Sequence, residues 1–482
     1  MYRRGNQMTH FPTPQERRAL GRARRKQLAR QEHSQWKPES RRRRPVALLQ
    51  ESMRGRVPQL VTLKYERMLE SPFGYFRGAV PVMAADLGSL PNTGIVSQIC
   101  GDAHVRNLGA FAAPDGRLVF DINDFDETVR APFEWDLKRL STSLVLAGRA
   151  TGAKRTACER AVLAFVDRYK KFIDTFARMP ITEIARYQVH RLQRISPVSK
   201  ALLKAERSTP LLSLDQLTGP AKAPVEKRVF RDQKPLLYRL SAGQRRAVLT
   251  SLVEYNQTLQ PERRHFLAQY YPLDVAFKVV GTGSVGLRDY VVYFEGNGPT
   301  DPLFLQIKEQ PGSAYAPYVG ADPLTVHQGQ RVVNGQRAMQ FQSDPFLGWT
   351  TIANRQYEVR QLNDHKGSIE IEDLAGDGLV EYAEMCGELL ARGHARSGDA
   401  CVLSGYIGNG ENFCDAIVRF AEGYANQTEQ DWEELKIARK PPAQKRSEAK
   451  PAARRVVKSA PIKSTKTVAK ENLTVRARSS VQ

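Results

Sequence analysis

Residues 98–136 read QICGDAHVRNLGAFAAPDGRLVFDINDFDETVRAPFEWD, and they hold the side chains best suited to chemistry. Asp102 is followed five residues on by Asn107, and a turn at Pro114-Asp115-Gly116 then sends an apolar run, Arg117 to Ile122, back the other way. That reversal returns Asp124, with Asp126 beside it, toward Asp102 and Asn107. Oxygen donors gathered in this way suit a hard cation such as Mg2+, which takes one or two carboxylates, substrate phosphates and waters. They also suit phosphoryl transfer, in which one Asp accepts the proton of the attacking hydroxyl while an Asn and a second Asp hold metal. Asp121, in the same acidic group, reads equally as part of a turn.

Several elements must position these residues. Leu60, Leu63, Tyr65, Met68 and Leu69 are spaced as on an amphipathic helix. Residues 134 to 178 read as two helices, and polar helical sequence continues to about residue 270 with breaks at Pro197, Pro210, Pro220 and Pro224. The character then changes to three β-rich runs, LDVAFKVVG, LRDYVVYFEG and PLFLQIKEQ. The first two are joined by Gly281-Thr-Gly283-Ser-Val-Gly286, and the third carries Lys308. A strand follows the glycines, where a dinucleotide fold would have a helix. Residues 324 to 342 and 378 to 396 read as helices, and YEVRQL at 357 to 362 as a strand.

The stretches GDAHVRN, VFDINDFDE and APFEWDL resemble, in that order, the catalytic and metal-binding loops of the aminoglycoside phosphotransferase and choline kinase branch of the protein-kinase-like fold. Cys100 stands where that branch has a His. The resemblance implies Asp102 as catalytic base, Asn107, Asp124 and Asp126 as metal ligands, and Asp136 as a brace for the loop. It further implies that Gly281, Gly283 and Gly286 cover the phosphates of ATP while Lys308 clamps them. Arg360 and Leu362 would lie at the hinge beside the base. The helix at 324 to 342 has no carboxylate to pair with Lys308, so Gln336, Glu309 or an acid from elsewhere must take that place. The order is also exchanged, since the catalytic and metal loops precede the nucleotide lobe. That order implies a circular permutation, with the helix ending near His394 stopping close to Gly101. Over most of its length the chain is similar to a bacterial family known as domain of unknown function 2252, through SPFGYFRGA, GDAHVRNLG, FDINDFDE, RVVNGQRAMQ, VRQLNDHKGS and GHARSGD.

The expected fold is therefore α+β: a two-lobed, circularly permuted protein-kinase-like fold with disordered basic tails. Its boundaries read as a tail over 1–46, a mainly helical large lobe over 47–270, a β-rich nucleotide lobe over 271–366, completing helices over 367–435 and a tail over 436–482. The chain of 482 residues carries a net charge of +22. The two tails hold 14 Lys/Arg each, against 3 and 2 Glu, so the middle is close to neutral. Such tails suit solvation or a non-specific electrostatic partner such as nucleic acid. Five scattered cysteines fit neither a disulfide framework nor a zinc site. No apolar run approaches a membrane span and no secretory leader is visible, which sets a cytoplasmic expectation and excludes a membrane partner.

The leading expectation is an ATP- and Mg2+-dependent phosphotransferase acting on an unidentified small-molecule or protein hydroxyl. A nucleotidyl transferase is a variant of it. A non-catalytic kinase-like binding module, with its tails on nucleic acid, is the alternative. A metallophosphoesterase reading of GDxH, through Asp102 and His104, needs more histidines in suggestive contexts than His104 and His394.

Overall fold

The computed structural model describes residues 11–189, 194–221, 228–279, 281, 283–320, 326–362 and 365–439. Helices α1 (Pro14–Ala23), α2 (Pro45–Ser52), α3 (Pro58–Leu69), α4 (Pro72–Gly78) and α5 (Val80–Ser89) precede β1 (Val96–Ile99). Each of these helices places proline in its first turn, where the missing N–H would have no partner in any case. Next come β2 (Leu108–Ala112), β3 (Leu118–Ile122), β4 (Val129–Pro132), α6 (Glu134–Ala150), α7 (Arg155–Phe176), α8 (Ile181–Arg186), α9 (Ser196–Arg207) and α10 (Pro210–Leu217). The short strands β5 (Thr218–Pro220), β6 (Arg228–Phe230) and β7 (Leu237–Arg239) lead to α11 (Ala242–Thr258) and α12 (Pro261–Leu267). The β-rich part follows as β8 (Tyr271–Lys278), β9 (Asp289–Gly296), β10 (Gly298–Glu309), α13 (Gln328–Met339), β11 (Gly348–Ile352) and β12 (Arg355–Gln361). It is succeeded by β13 (Gly367–Ser368), α14 (Gly378–Ser397), α15 (Ala400–Ile407) and α16 (Glu411–Arg439).

An antiparallel sheet in the order β11-β12-β10-β9-β8-β7 forms one layer. Alternation of side chains along its strands supplies two apolar faces. Val275, Phe277, Val292, Leu305 and Ile307 meet Val248, Tyr255 and Leu259 of the α11 region and Leu60 of α3. Ala276, Val291, Tyr293 and Phe304 meet Leu214, Leu217 and Phe230. The second layer is helical, built around α6, which is buried from Glu134 to Gly148 between α7, α14, α16 and the β2–β3 hairpin.

Two expectations need correction. The large lobe does not extend to residue 270, because α10, β6, β7, α11 and α12 cover or extend the sheet and belong with the β-rich layer. Nor is the stretch from residue 11 to 46 a disordered tail. Leu28 and His33 are buried and Trp36 packs on the core, and the arginines add hydrogen bonds to the ends of other elements. Arg25 donates to the carbonyls of Gly405 and Tyr406 at 2.7 and 2.8 Å, and Arg30 to that of Ile407 at 2.7 Å, capping the carboxyl end of α15. Arg41 pairs with Asp86 at 2.7 Å and with Asp431 at 2.6 Å. The expected C-terminal tail begins inside α16, and from residue 440 onward it lies outside the described residues. Among the described residues no helix is long and apolar enough to cross a membrane.

Candidate active site

The β2–β3 hairpin forms as its turn residues dictate, with Leu108 opposite Ile122 and Ala112 opposite Leu118. Its two ends carry the candidate loops. Asn107 knits them together: its side-chain amide donates to the carbonyls of Asp102 at 2.8 Å and Asp124 at 2.9 Å, and its oxygen accepts the Asp124 N–H at 2.6 Å. The Asn107 oxygen thus retains a single lone pair for a cation, in a residue only 2% exposed.

Asp102 is held from behind. Arg139 of α6, itself fully buried, donates to Oδ1 through Nε at 2.9 Å and through a terminal nitrogen at 2.5 Å. Asp136 braces the loop as expected, accepting the N–H groups of Cys100 and Gly101 at 2.8 and 3.0 Å. Gly101 has φ +81°, and a Cβ there would run into the Glu127 carbonyl, so the two loops cross in contact at this glycine. His104 accepts the Arg106 N–H through Nδ1, and its Nε2 lies 3.8 Å from Asp102. Burial drives the His104 pKa down to about 3, so the ring is neutral at pH 7.

From the sheet, Lys308 reaches across to the same place. Its Nζ lies 2.6 Å from Asp126 Oδ2 and 3.5 Å from Asp124 Oδ1. Its cross-strand neighbours are Asp289 on β9 and Glu358 on β12, so the ammonium stands among four carboxylates. Burial opposes its charge, but Asp124 and Asp126 hold its pKa above the usual lysine range. Partial desolvation opposes the Asp124 charge, but Lys308 and Arg360 keep Asp124 ionised well below the ordinary carboxylate range. Burial and the adjacent Asp124 charge push Asp126 up to about 7. The Asp124 side chain is 46% exposed while that of Lys308 is 3%, which leaves Asp124 as the open face of the pair.

Glu309 does not pair with Lys308, because the next residue of a strand points to the other face; it meets Arg288 and Arg355 instead. Gln336 bonds Gln340 at 2.9 Å, away from the lysine. Helix α13 nevertheless joins the acidic loop through Arg331, which donates to the carbonyls of Thr128 and Asp126 at 2.5 and 2.8 Å. Arg360 donates to the Asn123 carbonyl at 3.2 Å, beside Asp124. Leu362 spends its N–H on the Phe304 carbonyl at 2.9 Å and buries its side chain with Leu214 and Phe230, so it offers a base neither.

The glycines lie in the β8–β9 turn, with φ +65° at Gly281 and +90° at Gly286. Helix α3 and the turn before it hold this loop by its carbonyls. Lys64 donates to Gly283 O at 2.5 Å, Arg67 to Gly281 O, Arg56 to Val285 O at 2.6 Å, and the Val57 N–H to Gly286 O at 2.7 Å. These holders were not foreseen from the sequence. One signal was present: Lys64 sits at helical spacing between Leu60 and Met68, on the apolar face of α3, and is only 2% exposed.

Asp121 is structural, pairing with buried Arg392 and accepting the Phe341 N–H at 3.1 Å. His104 and His394 do not converge, since His394 lies between Tyr169 at 2.8 Å and Asp136 at 3.4 Å. Among the described residues no three His, Cys, Asp or Glu side chains gather as a metal cluster; the acidic loop offers two carboxylates and the Asn107 amide. Asp124 and Asp126 carry hard oxygen donors, the type that a cation such as Mg2+ takes, and Lys308 holds them in this structure.

No curated protein and no solved structure matches the chain. Residues 56–438 match the family model described as "Uncharacterized protein conserved in bacteria (DUF2252)". That span takes in the hairpin, the glycine loop, Lys308 and α14, and the chain belongs to this DUF2252 family of bacterial proteins.

Proposed function

We propose that the chain is an ATP- and Mg2+-dependent phosphotransferase with a permuted, two-lobed kinase-like arrangement, acting on a hydroxyl of a small molecule or protein. The observation that carries this reading is the meeting of Lys308 with Asp124 and Asp126, 184 and 182 residues away in the sequence, next to Asp102. The succession of glycine turn, lysine strand, helix and hinge strand within one sheet supports it. The end of α14 supports the permutation, because Ser397 Oγ lies 3.4 Å from the Gln98 carbonyl, at the entrance to the catalytic loop.

In this reading Asp102 receives the acceptor hydroxyl proton on the carboxylate that Arg139 fixes in place. Lys308 would turn from the acidic pair to the phosphates, and Asp124, Asp126 and the free lone pair of Asn107 would hold the metal. Bound Mg2+ supplies charge neutralisation at the phosphate oxygens. The fixed orientation of Asp102 suits a transfer that depends on alignment and charge.

A second reading, a nucleotide-binding module without catalysis, draws on α13, which gives Arg331 to the acidic loop and no carboxylate to Lys308. Calorimetric titration with ATP, with and without Mg2+, and ATP turnover in wild type, Asp102→Asn and Asp124→Ala separate the two. Mg2+-dependent binding with turnover lost in both variants is the expected result. Turnover intact in both variants would sink the enzyme reading, and binding without turnover in any form would favour the module.

A further inference from the structure

Arg77, in the SPFGYFRGA stretch, sits on α4 between the glycine loop and the catalytic loop. The helix is tied to the catalytic loop at two points. Arg139, which holds Asp102, also donates to the Phe76 carbonyl at 3.1 Å and stacks on the Phe76 ring, and the Phe73 ring meets the edge of His104. The glycine loop rests on the other side, where a Cβ on Gly283 would lie 3.6 Å from the Arg77 carbonyl.

The cations around Arg77 all have partners. Lys64 and Arg67 hold loop carbonyls, Arg106 pairs with Glu370 at 3.1 Å, and Arg139 pairs with Asp102. The Arg77 guanidinium, among the described residues, makes no hydrogen bond or ion pair, and its Nε is buried without a partner. The anions that bear on it are Asp102 and Asp124, and burial with the like charges of Arg106 and Arg67 works against its proton. Arg77 is half-buried, so the unsatisfied Nε carries a desolvation cost in the empty site. Its planar fork matches phosphate oxygens.

We propose that Arg77 is a phosphate clamp, its guanidinium receiving terminal phosphate oxygens of a bound nucleoside triphosphate on the side of the site opposite Lys308. This rests on the nucleotide reading above and adds to it a phosphate contact from the helical segment ahead of the catalytic loop. The polyphosphate is then held between α4 and β10, under a glycine loop that α3 keeps in place.

The test uses the full chain and titrates ATP and AMP, each with Mg2+, into wild type, Arg77→Met and Arg77→Lys, alongside thermal melts without nucleotide. Arg77→Met is expected to weaken ATP about ten- to a hundredfold, as loss of a charge-assisted contact does. AMP, which lacks the terminal phosphates, should bind within about twofold of wild type by the same reasoning. Arg77→Lys should recover part of the ATP affinity. Without nucleotide, Arg77→Met should melt at or above wild type, because a residue with only a structural role would lower the midpoint. Equal weakening of ATP and AMP, or unchanged ATP binding, would overturn the clamp alone. If Arg77→Met does not fold, Arg77→Lys decides: an ATP-to-AMP affinity ratio lowered from wild type supports the clamp, and an unchanged ratio overturns it. Wild type that binds neither nucleotide would remove the phosphotransferase reading and the clamp with it.

Discussion

Lys308 Nζ lies 2.6 Å from Asp126 Oδ2, and this contact joins the sheet to the acidic loop. Lys308→Met leaves two carboxylates facing each other without their cation, and unfolding in urea should show a loss of about 3–5 kcal/mol, the usual cost of breaking a buried pair from one side. Asp126→Asn in the same chain should restore a good part of it. Additive losses in the double variant would show that the pair carries no coupling.

Asp289 gives a pH signature. Burial raises its carboxyl to about 7, against the pull of Lys308 and the hydrogen bond from Gln306. The folded state then binds this proton more tightly than the unfolded chain. The stability it contributes is complete below the ordinary carboxylate pKa near 4 and is lost as pH rises through about 7. Asp289→Asn should flatten that fall by about 4 kcal/mol between about pH 4 and 7. An unchanged slope across that window would place the proton elsewhere.

Two glycines with the same backbone sign should respond differently to alanine. Gly101 has φ +81° and the Glu127 carbonyl against it, whereas Gly116 has φ +80° and open space around it. Gly116→Ala should cost about 1 kcal/mol from backbone strain alone. Gly101→Ala should cost at least about twice that, since the two loops must part to admit the methyl. Equal melting midpoints for the two variants would rule this out.

Arg41 tests the N-terminal segment. Its side chain, 11% exposed, is shared between Asp86 and Asp431. Arg41→Ala strands both carboxylates and should destabilise the protein by about 3 kcal/mol or more, with residues 11–46 becoming the first site of proteolytic cleavage. Wild-type resistance to protease in this variant would mean that the segment is held by other contacts.

Much of this architecture was legible because period and turn chemistry agreed. The hairpin at Pro114-Asp115-Gly116, the helices over 134–178, the three strands around the glycines and the helix expected over 324–342, which forms over Gln328–Met339, all follow local rules. The expectation that Asp102, Asn107, Asp124 and Lys308 share one site comes instead from motif order; the structure shows the Asn107 bridge and the approach of Lys308 to Asp124. What local rules could not reach was long-range hydrogen bonding by basic residues. Arg25, Arg30 and Arg41 look solvated in sequence, yet they bond to α15, α5 and α16. Lys308 looked as though it lacked an acid because the expected helix had none, whereas its acids come from the loop it faces. Leu362 could not be assigned by pattern, since its N–H is claimed by the adjoining strand.

The order of the chain has a temporal side as well. Asp124 and Lys308 are 184 residues apart. At about 5–20 residues per second, ribosomes deliver the acidic loop roughly ten to forty seconds before the lysine that neutralises it. A nascent fragment ending short of β10 carries Asp124 and Asp126 side by side with no ammonium between them. Charge balance at the heart of the molecule therefore arrives together with the sheet, and only a chain synthesised past Lys308 can close it.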